Sequence, residues 1–455
     1  MQRTIRQVVL LCLLGTTLSG RSGRADPPSL SPPSGSPSVD TEAALPNPLT
    51  LDDALRIFRE RGFDLLIADA AVASAHGDLA VARAYQNPAV SGGAGPVFTY
   101  NPNLCDRPGC SDVSVAGTVS DQGLLFDQVI GKRRLRVRAA KAALEAARLS
   151  RSDAERTLAF QLKQQFAQGA VSALALDFAR ETADKTAQTF QLIDLRYKAG
   201  AVSEADVARA ETDMLEAQQA VNASEQALAQ AKANLVFLIG VRSPIQEFDL
   251  ETSALRYEVP EPLRQATAES LLALALQHRP DLAAQAAQAE SSAASLDLAK
   301  RQRIPDIAVG AGYSQIGYGQ ASISPPTVVF SLSFTLPLLY QYQGEIAKAE
   351  ADLRSQNVRR DKIEAQIGSD VATAFATFQA TRTRVERMEG RLLDRARRAR
   401  DLVEFQYKKG AASLLELLDA ERTFIATNVE YRQNLADYWT AVFQVEQATG
   451  TEFRP

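Results

Sequence analysis

The sequence predicts a mainly α protein that also carries transmembrane β-strands, organised as a helix-strand-strand-helix-helix unit written twice. Three observations lead there. The segment Tyr197-Lys198-Ala199-Gly200-Ala201-Val202-Ser203 recurs as Tyr407-Lys408-Lys409-Gly410-Ala411-Ala412-Ser413 at an offset of 210 residues. Glu211 and Gly240 map onto Glu421 and Gly450 at the same offset, so the duplication includes a returning helix and its end. Long Ala-rich stretches with helical spacing of apolar residues flank both segments, and shorter segments alternate apolar and small polar residues in the manner of strands.

In chain order, Arg3 and Arg6 precede the apolar run Val8 to Leu14, and Gly23 and Ala25 flank a cleavage point before Asp26, so residues 1–25 read as a signal peptide. Cys12 lies in Leu10-Leu11-Cys12-Leu13, without the small neighbours of a lipidated cysteine. Residues 26–48 are a Pro/Ser-rich lead-in. The first repeat, 49–240, opens with helical periodicity from Leu51 to Gln86, stops at Asn87-Pro88, and passes through a hairpin-like region to Gly131. A helix of about 65 residues follows, with Leu158, Leu162, Phe166, Val171, Leu174 and Phe178 on one face. At 1.5 Å per residue it spans about 100 Å, more than one compact domain can bury, so it needs neighbours along its length.

After an inter-repeat linker, 241–268, the second repeat occupies 269–450 and a short tail 451–455. Asp281-Leu282 and Ile304-Pro305 match Asp64-Leu65 and Asn87-Pro88 at an offset of 217, so the length variation falls in the hairpin loops. At each paired tip the Gly lets the chain leave one helix, and the Ser three residues later caps the next.

Val328, Phe330, Leu332, Phe334 and Leu336 alternate with Val329, Ser331, Ser333 and Thr335; Ile307, Val309, Ala311 and Tyr313 alternate likewise, as do Val113, Val115 and Val119 with Ser114, Thr118 and Ser120. Alternating segments between turn-rich loops are the pattern of barrel strands. Four strands close no open pore alone, whereas three chains contributing four each would make twelve.

Composition narrows the function. The 455-residue chain is 45% hydrophobic and 23% charged with a net charge of -4, which falls to about -8 once the four arginines of the signal peptide leave, and an acidic mature chain argues against nucleic acid. Cys105 and Cys110 stand close together in an exported chain; a local disulfide is the candidate reading and two free thiols the alternative. His76 and His278 stand alone among Ala and Leu, and neither a metal-ligand spacing, a phosphate loop nor a nucleophile motif is present, so no cofactor, no metal site and no enzyme are expected.

The signal peptide, the duplicated unit and the paired tips together resemble the TolC-type outer-membrane efflux family, over about residues 49 to 450. The sharpest match is Tyr407 to Ala420, with its Tyr, Gly, small hydroxyl residue and two acids three apart; Asn87-Pro88 and Gly131-Lys132-Arg133-Arg134 look like the CzcC-like heavy-metal branch. The resemblance implies a homotrimer in the cell outer membrane, with a long α-helical barrel continuous with a 12-stranded β-barrel. It implies an exit duct of a tripartite efflux system, partnered by a periplasmic membrane-fusion adaptor, an inner-membrane pump of RND type and outer membrane lipid. A type I secretion duct and a poreless periplasmic scaffold are the alternatives.

On this resemblance Glu416 and Asp419, one helical turn apart, are candidates for acidic rings at a periplasmic gate, the alternative being solvated residues after a helix start. The first repeat has Asp206 and Arg209 there. Some relatives carry a basic latch residue where this chain has Ala412, so such a latch is either absent or replaced at Lys408 or Lys409. Tyr197, Gly200, Ser203, Tyr407, Gly410 and Ser413 are the candidate adaptor-docking residues, beside their turn and cap chemistry. The basic run Lys132, Arg133, Arg134, Arg136 and Arg138 is a candidate for anionic headgroups or a solvated helix face.

Overall fold

A computed structural model describes residues 45–98, 103, 112–242, 247–253, 255–316 and 326–453. The chain divides into two units: a strand unit of residues 83–136 and 297–346, and a helical unit of residues 42–82, 137–296 and 347–455. The candidate pair Cys105 and Cys110, and the signal peptide, lie outside the described residues.

The order of elements repeats. The first copy holds α1 (Leu51–Arg61), α2 (Phe63–Arg83), β1 (Ala89–Pro96), β2 (Val113–Ser120), α3 (Leu124–Ile130), the 67-residue α4 (Lys132–Lys198) and α5 (Glu204–Leu238). A one-turn α6 (Glu261–Arg264) lies in the linker. The second copy holds α7 (Ala268–His278), α8 (Pro280–Arg301), β3 (Ile307–Gln315), β4 (Thr327–Phe334), α9 (Gln343–Arg387), a π-helical segment (Met388–Leu392), α10 (Leu393–Lys408) and α11 (Leu414–Thr449). Two features depart from the expected pattern. The opening helix breaks at Gly62, where an added Cβ would stand 2.6 Å from the Phe58 ring. The second outgoing helix is interrupted by the π segment around Gly390, whereas α4 runs unbroken.

In the helical unit, the duplication is visible in the packing. Ala54, Leu55, Ile57 and Phe58 of α1 bury against Leu162 and Phe166 of α4 and Leu235 and Val236 of α5. Leu271 and Ala275 of α7 bury in the same way against Ile367, Val371 and Phe378 of α9 and Tyr438 and Val442 of α11. These are the apolar stripes the 3.6-residue period requires. The linker is fastened to this core by polar contacts: Tyr438 Oη donates to Glu258 O at 2.8 Å and Trp439 Nε1 to Arg256 O at 3.1 Å.

The strand unit is one antiparallel sheet in the order β1-β2-β3-β4. Its register sets Val90, Val119, Ala311 and Phe330 in a row across the strands, with Val309 opposite Leu332 and Tyr313 opposite Val328. The other face carries Ser91 against Thr118, whose hydroxyls lie 2.7 Å apart, and Ser331 against Gly310. Every residue of β4 is exposed, so the apolar face is not the lid of a core within this chain. A soluble sheet would bury that face and show the small polar one; here the apolar face is open, as lipid contact demands.

Most of the basic run at the start of α4 has protein partners. Lys132 is buried and its Nζ donates to Ile304 O at 2.7 Å and to Asp306 at 2.8 Å. Arg133 donates to Arg83 O and lies over the Tyr85 ring, Arg136 pairs with Asp127, and Arg138 with Glu290. Apart from Asp127, nine residues before Arg136, these partners lie far away in sequence, which is why the run looked unpaired in the linear chain.

Candidate gate and docking tips

Both hairpin tips follow from the same local chemistry. At the end of α4, Gly200 takes φ of 71°, its N–H donates to Tyr197 O at 2.8 Å and Ala201 N–H to Arg196 O at 2.9 Å. At the end of α10, Gly410 takes φ of 78°, with Gly410 N–H to Tyr407 O at 3.0 Å and Ala411 N–H to Gln406 O at 2.8 Å. A left-handed residue after the helix end is what glycine supplies without steric cost. Ser203 and Ser413 then cap α5 and α11, each inside a capping box closed by Asp206 and Glu416 respectively.

That box decides what Glu416 does first. Its Oε2 accepts from Ser413 N–H at 2.7 Å and from the Ser413 hydroxyl at 3.0 Å. The backbone N–H of Ser413, then its hydroxyl, hold the Glu416 carboxyl below the usual carboxylate range, so its charge is kept at neutral pH. Asp419, one turn on, is exposed and faces the same side. In the first copy Asp206 occupies the equivalent box and Arg209 pairs with it at 3.6 Å, so the second acid is replaced by a cation.

The structure brings the two tips together through a shared apolar cluster. Ile193 of α4 and Ala210 of α5 bury with Tyr407 of α10 and with Leu414, Leu417 and Leu418 of α11. The two tyrosines therefore differ: Tyr407 is 6% exposed and Tyr197 is 42% exposed. Arg196, beside Tyr197, lies over the Tyr407 ring at 4.8 Å, a cation-π contact between the copies. The Tyr407 hydroxyl is buried without a hydrogen-bond partner among the described residues.

Lys408 and Lys409 make contacts within their own helix. Lys408 pairs with Glu404 of its own helix at 2.6 Å, and Lys409 lies over Phe405. Near the tips, Arg422 of α11 pairs across the copies with Asp213 of α5, at 2.5 Å. Close by stands a group that the linear reading passed over. Glu421 lies between the copies, and burial, followed by the Glu404 and Asp213 carboxylates, pushes its carboxyl up to about 7 against the opposing pull of Arg400 and Lys185. Its sequence signal is an acid in the apolar stripe Leu414, Leu417, Leu418, Glu421, Ile425.

Deeper in the helical unit, Lys163 of α4 and Glu446 of α11 form a buried pair at 2.7 Å, with Glu446 also accepting from Phe453 N–H at 2.8 Å. Arg279, also buried, donates in bidentate fashion to Asp281 and reaches Asp370 at 2.8 Å. The described residues contain no group of three or more metal-ligating side chains arranged to hold an ion.

Long paired helices closed by capped tips, together with strands whose apolar face is open to lipid, define an outer-membrane duct rather than a catalytic site. The family profile described as Outer membrane efflux protein matches residues 54–241 and 271–451, one stretch in each copy, and the chain belongs to that family. It is an efflux exit duct of the outer membrane with a large periplasmic helical portion; the family consists of channels, not enzymes. Among its relatives is the cobalt-zinc-cadmium resistance protein CzcC of Cupriavidus metallidurans, 22% identical over 91% of this chain and 92% of that protein. The pyoverdine export outer membrane protein OpmQ of Pseudomonas aeruginosa is 26% identical over 65% of this chain and 62% of its own. The fold matches a crystal structure of CusC with a TM-score of 0.72 at 18% identity, covering 88% of this chain and 92% of that one. It also matches the outer membrane protein VceC of Vibrio cholerae with a TM-score of 0.69 at 19% identity, covering 89% and 97%.

Proposed function

We propose that three copies of this chain assemble into a twelve-stranded barrel and a helical tunnel, docked by their tips on a periplasmic membrane-fusion adaptor that serves an inner-membrane pump of RND type. One observation carries this reading: the four-stranded sheet exposes an apolar face and, among the described residues, leaves β1 and β4 each paired on one side only. Open edges and a greasy face are tolerated where other copies close the edges and lipid covers the face. Ile67 and Val81, two heptads apart on α2 and both exposed, supply a helical seam for a neighbouring copy.

Within that assembly Glu416 and Asp419 ring the periplasmic constriction. Three-fold symmetry sets three carboxylates of each kind around one axis, which attracts cations and makes the closed ring self-repelling. Tyr197, Gly200, Ser203, Gly410 and Ser413 present the tip surface to the adaptor, with Tyr407 bracing it from beneath. The test is single-channel recording in planar bilayers of Asp419→Ala combined with Glu416→Gln, which removes both charges yet leaves an amide able to close the capping box. Conductance is expected to rise severalfold and block by divalent cations to weaken. Unchanged conductance and block sink the gate, and absence of any heat-modifiable trimer in the outer-membrane fraction sinks the assembly.

A further inference from the structure

The two strand-to-helix connectors are built differently. After β2 the chain forms α3 and is tied back to the sheet: Asp121 Oδ1 accepts from Gly123 N–H at 3.0 Å and from Val309 N–H at 2.8 Å. After β4 the residues from Thr335 to Tyr342 form neither helix nor strand. Leu338 is 77% exposed and Leu339 fully so, with Leu336 between them and the strand also open. The far end of this strap is pinned. Tyr340 Oη donates to Glu345 at 2.7 Å and accepts from Gly344 N–H at 3.1 Å, and Arg303 Nε donates to Gln341 O at 3.3 Å.

We infer that this strap, Leu336 to Tyr340, is a membrane anchor seated among the phospholipids of the periplasmic leaflet. Three leucines held out by a fixed polar hinge have no reason to face water. They extend the series Val328, Phe330, Leu332 and Phe334, so the lipid-facing surface continues past the last strand residue toward the helices. That continuity favours lipid over a second copy as the occupant. Arg303, exposed beside the strap, stands where a headgroup phosphate would lie, and Tyr340 and Tyr342, with ring centroids 6.1 Å apart, supply the aromatic pair usual at a membrane-water boundary. Because the second connector is left unwound, it holds Leu338 and Leu339 out toward the leaflet, whereas the first connector folds as helix α3.

The inference rests on reading the sheet as barrel wall, and the test separates the two. Full-length protein is placed in nanodiscs of phosphatidylcholine with or without bromine on the acyl chains, and tryptophan emission is read for Leu339→Trp, Phe330→Trp and Leu415→Trp against the parent, whose single Trp439 gives the baseline. The strap predicts that Leu339→Trp loses most of its added emission when bromine sits near the headgroup end of the chains. Phe330→Trp should lose it when bromine sits deeper, and Leu415→Trp, at the hairpin tip, should not respond. Quenching at 330 without quenching at 339 overturns the anchor and leaves the barrel standing; a blue-shifted but unquenched 339 assigns the strap to a protein contact and overturns it equally. Quenching at neither position removes the barrel reading and the anchor with it.

Discussion

The first and second hairpins share a plan but differ in what lies inside them. In the first, α4 runs unbroken, Val236 sits near the end of α5, Glu211 is solvated and Gly62 precedes α2, while α4 carries the buried Lys163. In the second, a π segment interrupts the outgoing helix, Glu446 replaces Val236, Glu421 replaces Glu211, and a buried Arg279 stands where the first copy has Gly62. Buried charge and a π interruption both cost stability relative to well-packed apolar helix. The π interruption and the buried Glu446 lie in the second hairpin, while the first contributes Lys163, the counter-charge of Glu446. That is the pattern expected of an element that moves beside one that holds still.

The largest effect should come from dismantling, one partner at a time, the buried pair that joins the two hairpins, Lys163 of α4 with Glu446 of α11. Lys163→Met leaves Glu446 buried with one backbone donor and no counter-charge, which should cost about 3–5 kcal/mol of stability. Adding Glu446→Val, which copies Val236, should return most of that loss, because two apolar side chains of similar volume replace the pair. Thermal melts of the detergent-solubilised protein, followed by far-UV circular dichroism, report both. If the double variant melts no higher than the single one, the charge asymmetry between the hairpins is not energetic.

An intermediate effect is expected from pH at the tips. Burial and two neighbouring carboxylates hold the Glu421 carboxyl at about 7, above the 4.5 of an open chain. The folded state therefore binds this proton more tightly than the unfolded state. Stability from this group is fully present below about pH 4.5, declines as pH rises toward about 7, and levels off above that. Glu421→Gln should flatten that slope. Melting temperatures across the window decide it, and equal slopes in parent and Glu421→Gln would remove Glu421 as the second hairpin's proton-sensitive group.

Much of this architecture was legible in the linear chain, and the failures have physical reasons. The helices and tips were readable because their signals are local: a 3.6-residue period, a Gly that must be left-handed, a Ser that must cap. The strands were readable because β3 and β4 alternate cleanly. Helix α3 was not, since seven residues carry too little periodicity, and the π segment has no residue signature beyond Gly390 in an otherwise helical run. The roles of Lys132 and Glu421 were hidden because they depend on partners brought in by the fold: Ile304 and Asp306 for one, and helices α4, α5 and α10 for the other. Glu416 was readable in two ways. Ser-x-x-Glu is a capping box by itself, and the box is formed, so the residue serves the helix start whatever else it does.

The smallest effect separates turn chemistry from docking at the one tyrosine pair. Tyr407 packs its ring under the tips, yet its hydroxyl finds no partner among the described residues, while Tyr197 stands half in solvent. A buried hydroxyl without a partner costs the fold something, so Tyr407→Phe should be neutral or stabilise by up to about 1 kcal/mol, and Tyr197→Phe should change nothing measurable. Tip cohesion needs only the Tyr407 ring, which Phe keeps, including its place beneath Arg196. Adaptor capture by Tyr407→Phe should accordingly equal that of the parent, and Tyr407→Ala should lose both stability and capture. If Tyr407→Phe weakens capture while its melting point holds, the hydroxyl is exposed during docking. The second tip must then open to receive its partner, and the difference between the hairpins becomes one of motion as well as composition.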